Sequence, residues 1–597
     1  MVGSQTIKSK GKRIVSFFLL GSFLLTSCAP AYTNPIDLTA TAFTRKHAIS
    51  PTVTQPAISE KTVKSAGSHV APLQISTPST PDPSQEKTAV KTPEITNTPL
   101  KVQKTSTITA SNTPLPTAYP TEPPSTETPV PVTPTAKPSE TFTFTPDSSS
   151  SEATPEGSNK SQKMVLYDTQ AGDTLSNVAV RFGVPRFEIT SPQEIPNVGL
   201  FNPKQLLVIP NHLKDTGPGG ILMPDSEVVY SPSALDFDIN KYVNDNGGFL
   251  STYKEYLSSG WHTGAEVVER VAIENSINPR ILLSLLEFRS HWVTGQPASP
   301  LEIEYPISHV AMPTQRLYHQ LSWAVQQFSV GFYGWRAGIL TTLTFPDGTT
   351  LRMAPELNAG TVAVQYLFSK IENKDEWGSA LYSPGNLSEL HEKMFGNPWL
   401  RAQTVEPLYP TDLKQPVLEL PYKPGASWSF SGGPHSAWGP DGALAALDFA
   451  PPSNFHGCAE SIEWITASTP GLVVRSANGV VIVDLDGDGY EQTGWAILYL
   501  HVATKDRVTK GTWLNQDDKI GRPSCEGGMA TGTHVHMARK YNGEWILADG
   551  PMPFILSGWT AHAGEKIYLG QLTKDDMVAE ASSSGIMNTL TKRPKKE

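Results

Sequence analysis

Two adjacent segments of the chain carry apolar residues at helical spacing. Apolar side chains recur every three or four positions over Ala265–Ile277 and again over Pro279–Phe288, which is the period of an amphipathic helix. Asn278 lies between the two segments and marks a helix boundary, because the proline that follows it suits the first turn of a helix. We therefore predict a helical domain over residues 228–405.

The pattern changes after residue 411, where the apolar runs become shorter. Gly471–Arg475 and Gly479–Val483 are rich in valine, and the Ala-Asn-Gly sequence between them is typical of a tight hairpin turn. Trp495–His501 is a third apolar run of strand length. Residues 411–573 are therefore expected to form an antiparallel, β-rich domain.

A smaller module precedes the helical domain, at residues 163–213. It begins with a short strand pattern, after which Gly172-Asp173-Thr174 forms a turn that can cap a helix. An amphipathic helix pattern follows, and the module ends in an apolar run that Pro210 stops. This order predicts a small domain with a strand at each end.

The first quarter of the chain lacks apolar periodicity. Residues 29–162 are rich in proline, threonine and serine, and they contain too few hydrophobic residues to offset the entropy cost of ordering. We predict a disordered tether, extended where proline is frequent. Residues 574–597 are also polar, and we predict a frayed tail there with no regular element.

Composition narrows the function classes. A length of 597 residues suggests several domains, so the predicted fold class is multidomain α+β. The formal net charge of -10 argues against nucleic acid as a partner, because phosphate binding needs a basic face. The three cysteines, Cys28, Cys458 and Cys525, are too few for a disulfide scaffold in a chain of this length.

The N-terminus resembles a bacterial lipoprotein signal. Basic residues at 8–13 precede the apolar run Ile14–Leu25, which is too short to span a bilayer. The sequence Leu-Thr-Ser before Cys28 is similar to a lipobox. The resemblance implies a signal peptide over residues 1–28, acylation of Cys28 and an extracytoplasmic protein that is lipid-anchored to the cell-envelope membrane. An ordinary signal peptide that contains a cysteine is the alternative.

Residues 163–213 resemble a LysM repeat. The resemblance rests on Tyr167–Leu175, on the Phe-Gly-Val sequence at 182–184 and on the closing run Gln205–Pro210. It implies a β-α-α-β fold and binding to glycans that contain N-acetylglucosamine. Ser191 and Pro192 stand where the family has a helix and an asparagine, so a small domain that has lost its ligand stays open as an alternative.

The helical domain loosely resembles the core of a lytic transglycosylase or goose-type lysozyme, through Ile277–Trp292 and the Asn-Ala-Gly turn at 358–360. In that family the catalytic acid is a glutamate directly before the serine. Arg289 occupies this position here, and arginine cannot donate a proton at working pH. Glu287 lies two positions earlier, on a different face of the helix. We therefore expect a degenerate lysozyme-like domain that binds glycan or acts as a spacer.

Four pieces of the β-rich domain carry the strongest chemical signal. They are, in chain order, Gly432–His435, Ala446–Ala450, Leu498–His501 and Thr531–His536. Together they resemble the lysostaphin-like zinc endopeptidases, and in particular the beta-lytic (staphylolysin) branch, in which the first histidine and the aspartate are set further apart. The resemblance implies an antiparallel sheet with a metal on the floor of a groove, and hydrolysis of peptide bonds in peptidoglycan.

The same resemblance assigns the site residues. It implies that His435, Asp448 and His536 bind one zinc ion and that His501 and His534 are catalytic residues beside it. The chemistry agrees, because catalytic zinc takes three protein ligands and leaves one position for water. His534 and His536 are two residues apart, so on a strand they face the same side. Zinc would lower the pKa of bound water to about 7 and polarise the scissile carbonyl.

An acidic loop in the same domain suggests a second metal. Asp484, Asp486 and Asp488 match the first half of a calcium loop, with oxygen donors at alternate positions. Trp495 stands where the bidentate glutamate of such a loop is expected. Calcium binding and a plain turn between two strands are both open.

The two cysteines of this domain are candidates for a disulfide. Cys458 and Cys525 lie in one predicted domain, and an extracytoplasmic location permits the bond. Such a bond would steady the loop that leads to His534. Two unpaired buried thiols are the alternative.

Three functions follow from these patterns. The first is a zinc endopeptidase on the cell envelope, brought to peptidoglycan by glycan binding. The second is a non-catalytic regulator that binds peptidoglycan and controls other wall hydrolases, which the complete ligand set disfavours. The third is a dual hydrolase with an active lysozyme-like centre, which Arg289 disfavours. The helical domain or the C-terminal residues could cover the groove, and no pro-segment is recognisable.

Overall fold

The computed structural model describes residues 163–410, 412–454 and 456–595. The predicted signal peptide over residues 1–28, the lipidation of Cys28 and the tether over residues 29–162 lie outside these described residues. Among the helices of the described residues, none is long and apolar enough to cross a membrane.

The small N-terminal module is a two-stranded sheet with one helix packed on it. Strand β1 (Met164–Asp168) pairs antiparallel with β2 (Leu206–Pro210), and helix α1 (Leu175–Phe182) covers their apolar side. Thr174 caps the helix: its side chain accepts the amide of Asn177, whose side chain in turn accepts the amide of Thr174. The Gly-Asp-Thr turn therefore starts the helix, as the sequence predicts.

The second helix expected in this module is missing. Between α1 and β2, where every residue is described, a single 3₁₀ turn at Arg186–Glu188 stands in its place. Pro192 and Pro196 follow closely, and a residue before proline is biased away from helical conformation. The predicted β-α-α-β order is wrong in this detail, and the module is β-α-β with a short turn.

The helical domain contains the two helices that the apolar spacing predicts, α4 and α5. Two small hairpins interrupt the run of helices. Its elements are α2 (Ile239–Asn246), α3 (Phe249–Thr252), β3 (Lys254–Leu257), β4 (Gly260–Thr263), α4 (Gly264–Asn275), α5 (Pro279–Ser290), α6 (Pro300–Glu304), α7 (Arg316–Arg336), β5 (Thr342–Thr344), β6 (Thr350–Arg352), α8 (Ala359–Phe368), α9 (Lys374–Tyr382), α10 (Leu387–Phe395) and α11 (Pro398–Val405).

Helix α7 is the centre of this domain, because α4 and α8 both pack against it. Its apolar residues Leu321 and Phe328 are fully buried.

The domain also begins earlier than the predicted residue 228. Met223 lies in its core, and Asp225 Oδ1 accepts the amide of Gly360 at the start of α8 with a distance of 2.7 Å.

The β-rich domain is built on one large antiparallel sheet of nine strands. The strands of the whole domain, some of which belong to smaller sheets, are β7 (Ser427–His435), β8 (Ala446–Ala450), β9 (Ile465–Thr466), β10 (Gly471–Ala477), β11 (Val480–Asp484), β12 (Trp495–Leu500), β13 (Trp513–Leu514), β14 (Lys519–Gly521), β15 (Val535–Tyr541), β16 (Glu544–Trp545), β17 (Ile555–Leu556), β18 (Trp559–Ala563), β19 (Gly570–Lys574), β20 (Met577–Glu580) and β21 (Leu590–Lys592). The large sheet has the order β13-β10-β11-β12-β15-β8-β7-β21, with β16 paired to β15. Strands β17–β20 form a separate four-stranded sheet.

The predicted hairpin of strands β10 and β11 is present. Asn478 and Gly479 connect the strands with φ angles of +49° and +76°. Two successive positive φ angles are those of a two-residue turn that follows the twist of the strands, and asparagine and glycine tolerate them best. The local sequence therefore determines this pairing.

The C-terminal residues form part of the sheet, so the predicted frayed tail over 574–597 is wrong. Strand β21 pairs with β7 and forms the edge of the sheet, and Leu590 lies opposite Ser429. Arg593 is buried, and its guanidinium donates to the carbonyl of Tyr422 at 2.6 Å. The polar sequence misled the prediction because β21 buries only one of its side chains, Thr591.

The two faces of the large sheet pack against different partners. Leu447 and Met537 point into a core that the β-rich domain forms by itself. Ala446 and Ala538 point the other way, into a core shared with the helical domain. Because side chains alternate along a strand, Asp448 in β8 projects from the face that the helical domain covers.

Candidate metal centre

Three neighbouring strands bring the predicted ligands together. His435 ends β7, Asp448 lies in β8 and His536 lies in β15, and β8 is hydrogen-bonded to both of the other strands. In this register His536 is directly opposite Asp448. Gly432 on β7 is also opposite Asp448, and a Cβ there would lie 2.5 Å from Asp448 Oδ2. Glycine at position 432 therefore makes room for the carboxylate.

The ligand atoms of these residues converge on one point. His435 Nε2 and His536 Nδ1 each lie 3.3 Å from Asp448 Oδ1, and the two nitrogens are 3.0 Å apart. Four ligands placed tetrahedrally around zinc at about 2.0–2.1 Å are separated by about 3.3 Å. The three atoms are therefore spaced as ligands of one small cation.

The other nitrogen of each ligand histidine is fixed by a backbone carbonyl. His435 Nδ1 lies 2.8 Å from the carbonyl oxygen of Gly433, and His536 Nε2 lies 3.1 Å from that of Ala437. A carbonyl only accepts, so these nitrogens carry the hydrogen and donate it. In their neutral form these rings present lone pairs towards Asp448, as metal-binding histidines do.

The Asp448 carboxylate has the properties of a cation ligand. Its Oδ1 is buried and has no hydrogen bond, which is costly for an ionised oxygen unless a cation binds it. Burial raises the pKa of Asp448, but the positive charge of a protonated His435 outweighs burial and holds the pKa well below its ordinary value. Burial lowers the pKa of His536, which favours its neutral, ligating form. These residues fit a metal.

His501 and His534 lie beside this group, with ring centroids 4.4 Å apart. His501 Nδ1 donates to the carbonyl of Glu526 at 2.9 Å, and His534 Nδ1 donates to that of Gly532 at 2.7 Å. Each ring therefore keeps Nε2 as a free acceptor when neutral, and His534 Nε2 is 3.7 Å from Asp448 Oδ1. Burial, reinforced by the neighbouring histidines, lowers the pKa of His501 to about 3.

Tyr568 is a site residue that the sequence patterns miss. It lies in the loop between β18 and β19, and its ring stacks on His435 with centroids 4.2 Å apart and a plane angle of 24°. Its carbonyl accepts the amide of Gly433 at 2.8 Å. Burial raises its pKa, with help from Asp448, so the hydroxyl keeps its proton. No local motif marks this tyrosine, because only the packing of a second sheet places it here.

The acidic loop has a structural role that needs no ion. The carboxylate oxygens of Asp484, Asp486 and Asp488 lie within 4.8 Å of one another. However, Asp484 accepts the amide of Gly489 at 2.9 Å, and Asp488 accepts that of Tyr490 at 2.9 Å. These bonds close the connection between β11 and β12. Calcium binding there stays a prediction.

The two cysteines of the β-rich domain are bonded to each other, Cys458 to Cys525. The bond joins the loop before β9 to the loop before β15. Gly457, next to Cys458, accepts the amide of Thr533 at 2.9 Å. The two loops are thereby fixed together directly before His534.

The possible acid of a lysozyme-like centre is engaged in a structural task. Glu287 is buried, and its carboxylate accepts the amides of Val293 and Thr294, each at 2.9 Å. These bonds organise the chain that leaves α5. Arg289 forms an ion pair with Glu372. The geometry gives the dual-hydrolase alternative no support.

The helical domain lies against the loop that joins the first two ligands. A Cβ on Gly442 would lie 2.7 Å from the side chain of Ser329 on α7. Arg336, at the end of α7, donates to Glu544 of the β-rich domain at 3.0 Å, and both residues are buried at this contact. The interface is therefore close-packed and adjoins the candidate site.

Known proteins with similar sequence or structure were found for this chain. Residues 221–409 match the family model described as LasA, N-terminal domain. The chain is 24% identical over 356 residues to Protease LasA of Pseudomonas aeruginosa, covering 55% of this chain and 75% of that protein. It is 24% identical over 153 residues to the beta-lytic metalloendopeptidase of Lysobacter enzymogenes, covering 26% of this chain and 83% of that protein. Among solved structures, the M23 metalloprotease pseudoalterin is 23% identical, with 28% of this chain and 96% of that chain covered and a TM-score of 0.24.

The helical segment matches the family model of the N-terminal domain of LasA. The lysozyme-like character expected from the sequence stays a prediction. The 356-residue similarity to LasA is longer than that domain and extends beyond it. The chain is therefore similar to the LasA-like and beta-lytic metallopeptidases, and its His435, Asp448 and His536 group can hold a metal ion.

Proposed function

We propose that this chain is a zinc metalloendopeptidase that hydrolyses peptide bonds of peptidoglycan. The observation that carries the proposal is the convergence of three ligand atoms, with Asp448 Oδ1 left without a hydrogen bond. Two nitrogens and one carboxylate oxygen are a ligand set of catalytic zinc sites that keep one position open. Similarity to proteins named as a protease and as metalloendopeptidases supports the same reaction class.

The residues around the ligands supply the remaining chemistry. Bound zinc would act as a Lewis acid towards the scissile carbonyl and the attacking water. His501 and His534 each keep Nε2 as an acceptor, so they would take the proton of the water and return it to the leaving amine. Tyr568 keeps its hydroxyl proton and would donate a hydrogen bond to the oxyanion that forms.

We further propose that the other modules determine where the enzyme acts. We propose that the LysM-like module over residues 163–213 binds glycan and brings the enzyme to its substrate. Acylation of Cys28 would anchor the chain to the cell-envelope membrane. Both steps rest on the sequence resemblances, and each has a simple test: pull-down with purified peptidoglycan, and mass spectrometry of the mature N-terminus.

The described arrangement of the domains is, in this proposal, a closed one. The helical domain packs on the sheet face from which Asp448 projects, so it would slow, without preventing, the access of a peptidoglycan strand to that face. Val417, in the connection between the two domains, is 83% exposed. A specific protease site inserted there should, after cleavage and release of the helical domain, raise the rate of hydrolysis. An unchanged rate would show that the closed arrangement does not limit access.

The main test joins zinc content to peptide-bond cleavage. Purified full-length protein should bind one zinc per chain and release new amino termini from peptidoglycan. The variant His536→Ala should do neither, while His456→Ala, which removes an exposed histidine of the same domain, should match the wild type. Zinc binding without any cleavage would favour the non-catalytic regulator. A shortened protein for this test has to extend to Arg593, because β21 completes the sheet.

A further inference from the structure

A short segment, residues 524–528, connects the two histidines beside the metal ligands. Ser524 donates twice to the carbonyl of His501, from its amide at 2.7 Å and from its hydroxyl at 2.9 Å. The carbonyl of Ser524 accepts the amide of His534 at 3.4 Å. The carbonyl of Glu526 accepts the Nδ1 hydrogen of His501 at 2.9 Å. We call residues 524–528 the histidine strap.

His501 needs this support because its backbone is in an unfavourable region. Its φ angle is +64°, which few residues other than glycine adopt without surrounding contacts that impose it. The strap supplies those contacts on the backbone and on the ring. Gly528, at the end of the strap, lies against the ring, since a Cβ there would be 3.4 Å from His501 Cε1.

The side chain of Glu526 ties the strap to the chain just beyond His501. Its carboxylate accepts the amide of Thr504 at 2.9 Å and the hydroxyl of Thr504 at 2.5 Å. Glu526 therefore bonds to the His501 region twice, once through its carbonyl and once through its carboxylate. On the other side, the bond from Cys525 to Cys458 attaches the strap to a second loop.

We propose that Glu526 is a positioning residue for the proposed hydrolysis. Its carboxylate fixes the strap so that its own carbonyl receives the Nδ1 hydrogen of His501, which keeps Nε2 of His501 as the free acceptor. The inference rests on the proposed function, because a fixed acceptor matters only if His501 moves a proton. Nothing in the local sequence marks Glu526, since its partner Thr504 lies on a different loop.

The test compares Glu526→Ala, Glu526→Gln and the control Glu580→Ala, which removes an exposed glutamate of the same domain. The readouts, all on the full-length zinc-loaded protein, are kcat, KM, zinc content and the tautomer of His501 from long-range ¹H–¹⁵N NMR of ¹⁵N-histidine protein. The His501 signal is assigned with His501→Gln.

Glu526→Ala should lower kcat about ten- to a hundredfold, since a small misplacement of a catalytic group has such effects. KM and one zinc per chain should be unchanged, and the His501 ring should lose its single Nδ1–H tautomer. Glu526→Gln keeps an acceptor oxygen for Thr504 and should restore most of the rate. The control should behave as the wild type.

Two results would overturn the proposal: an unchanged kcat in Glu526→Ala, or a loss of zinc in parallel with the loss of rate, which would indicate a merely structural residue. If the wild type binds zinc but cleaves nothing, the proposed function fails. The NMR readout then still decides whether Glu526 fixes the His501 ring.

Discussion

Among the described residues, a buried group in the helical domain and the candidate metal centre in the β-rich domain both have the composition of a catalytic centre, but they differ in geometry. In the helical domain, Ser284 Oγ lies 2.8 Å from His391 Nδ1, and His391 Nε2 lies 3.0 Å from Glu227 Oε2. This is the order of a serine, histidine and carboxylate relay. In the β-rich domain, His435, Asp448 and His536 converge instead on Asp448 Oδ1.

The two groups differ in whether their carboxylate oxygens have hydrogen-bond partners. Ser284, His391 and Glu227 are all fully buried, and Arg401 donates to both carboxylate oxygens of Glu227 at 2.8 and 2.9 Å. That relay is complete, and no substrate can reach it in this fold. Asp448, by contrast, has a buried oxygen without a hydrogen bond. Other buried oxygens, such as Glu372 Oε2, also lack a hydrogen bond, so the candidate site is recognised by three ligand atoms that converge around such an oxygen.

The largest effect is expected from removing the Asp448 carboxylate, whose Oδ1 has no hydrogen bond. Asp448→Ala should abolish metal binding and lower hydrolysis by about 10³-fold or more, because the metal supplies the Lewis acid and the nucleophile. Zinc content by mass spectrometry and release of amino termini measure both effects. Retained zinc in this variant would contradict the assigned ligand set.

Removing the carboxylate of the buried relay of Ser284, His391 and Glu227 should lower stability and leave zinc content unchanged. Glu227→Ala leaves the buried His391 and the half-buried Arg401 without their carboxylate partner, and we expect a loss of about 3–5 kcal/mol in the free energy of unfolding. Denaturant unfolding measures this loss. Zinc content should stay at one per chain. A loss of zinc without a loss of stability would show that the two regions are not independent.

A third substitution tests Tyr568, whose ring stacks on His435 of the candidate metal centre. Tyr568→Phe keeps the ring on His435 and removes the hydroxyl, so we expect kcat to fall about ten- to a hundredfold, as for the loss of one oxyanion donor. Zinc content and KM should not change. A normal kcat would restrict Tyr568 to packing.

The smallest effect is expected from acid, which should lower the free energy of unfolding through the buried relay. Burial lowers the pKa of His391, so below its unfolded pKa of about 6.5 the unfolded chain binds one more proton. The free energy of unfolding then falls with decreasing pH by up to about 1.4 kcal/mol per unit.

A second group of the relay adds to this loss at lower pH. Burial would raise the pKa of Glu227, but hydrogen bonds from His391 and Arg401 outweigh it and lower the pKa. Stability is therefore lost again as the pH falls below the unfolded pKa of about 4.3. The contribution of His391 is tested by measuring the free energy of unfolding of the wild type and of His391→Gln between pH 7 and pH 5. The same dependence on pH in both proteins would contradict it.

The metal centre was predictable from sequence where short motifs carry it. His534 and His536 are two residues apart, and the four pieces with His435 and Asp448 occur in a recognisable order. Tyr568 and Glu526 were not predictable, because each reaches the site through contacts with residues distant in sequence. Such contacts depend on how separate elements pack and leave no local pattern.

The fold shows the same division. Helices α4 and α5 follow from apolar spacing, and the turn at Asn478 follows from its residue types. Strand β21 was not predictable from the sequence, because an edge strand with one buried side chain has no apolar alternation. The lysozyme-like resemblance of the helical domain stays a prediction, since a buried helix such as α5 shares its apolar pattern with many unrelated helices.

The most direct test of the central claim is zinc K-edge X-ray absorption on the purified full-length protein. We expect one zinc per chain with nitrogen and oxygen ligands at about 2.0–2.1 Å, two of them imidazoles, and no such spectrum in Asp448→Ala. Absence of zinc from the wild type, sulfur ligands, or an unchanged spectrum in Asp448→Ala would contradict it.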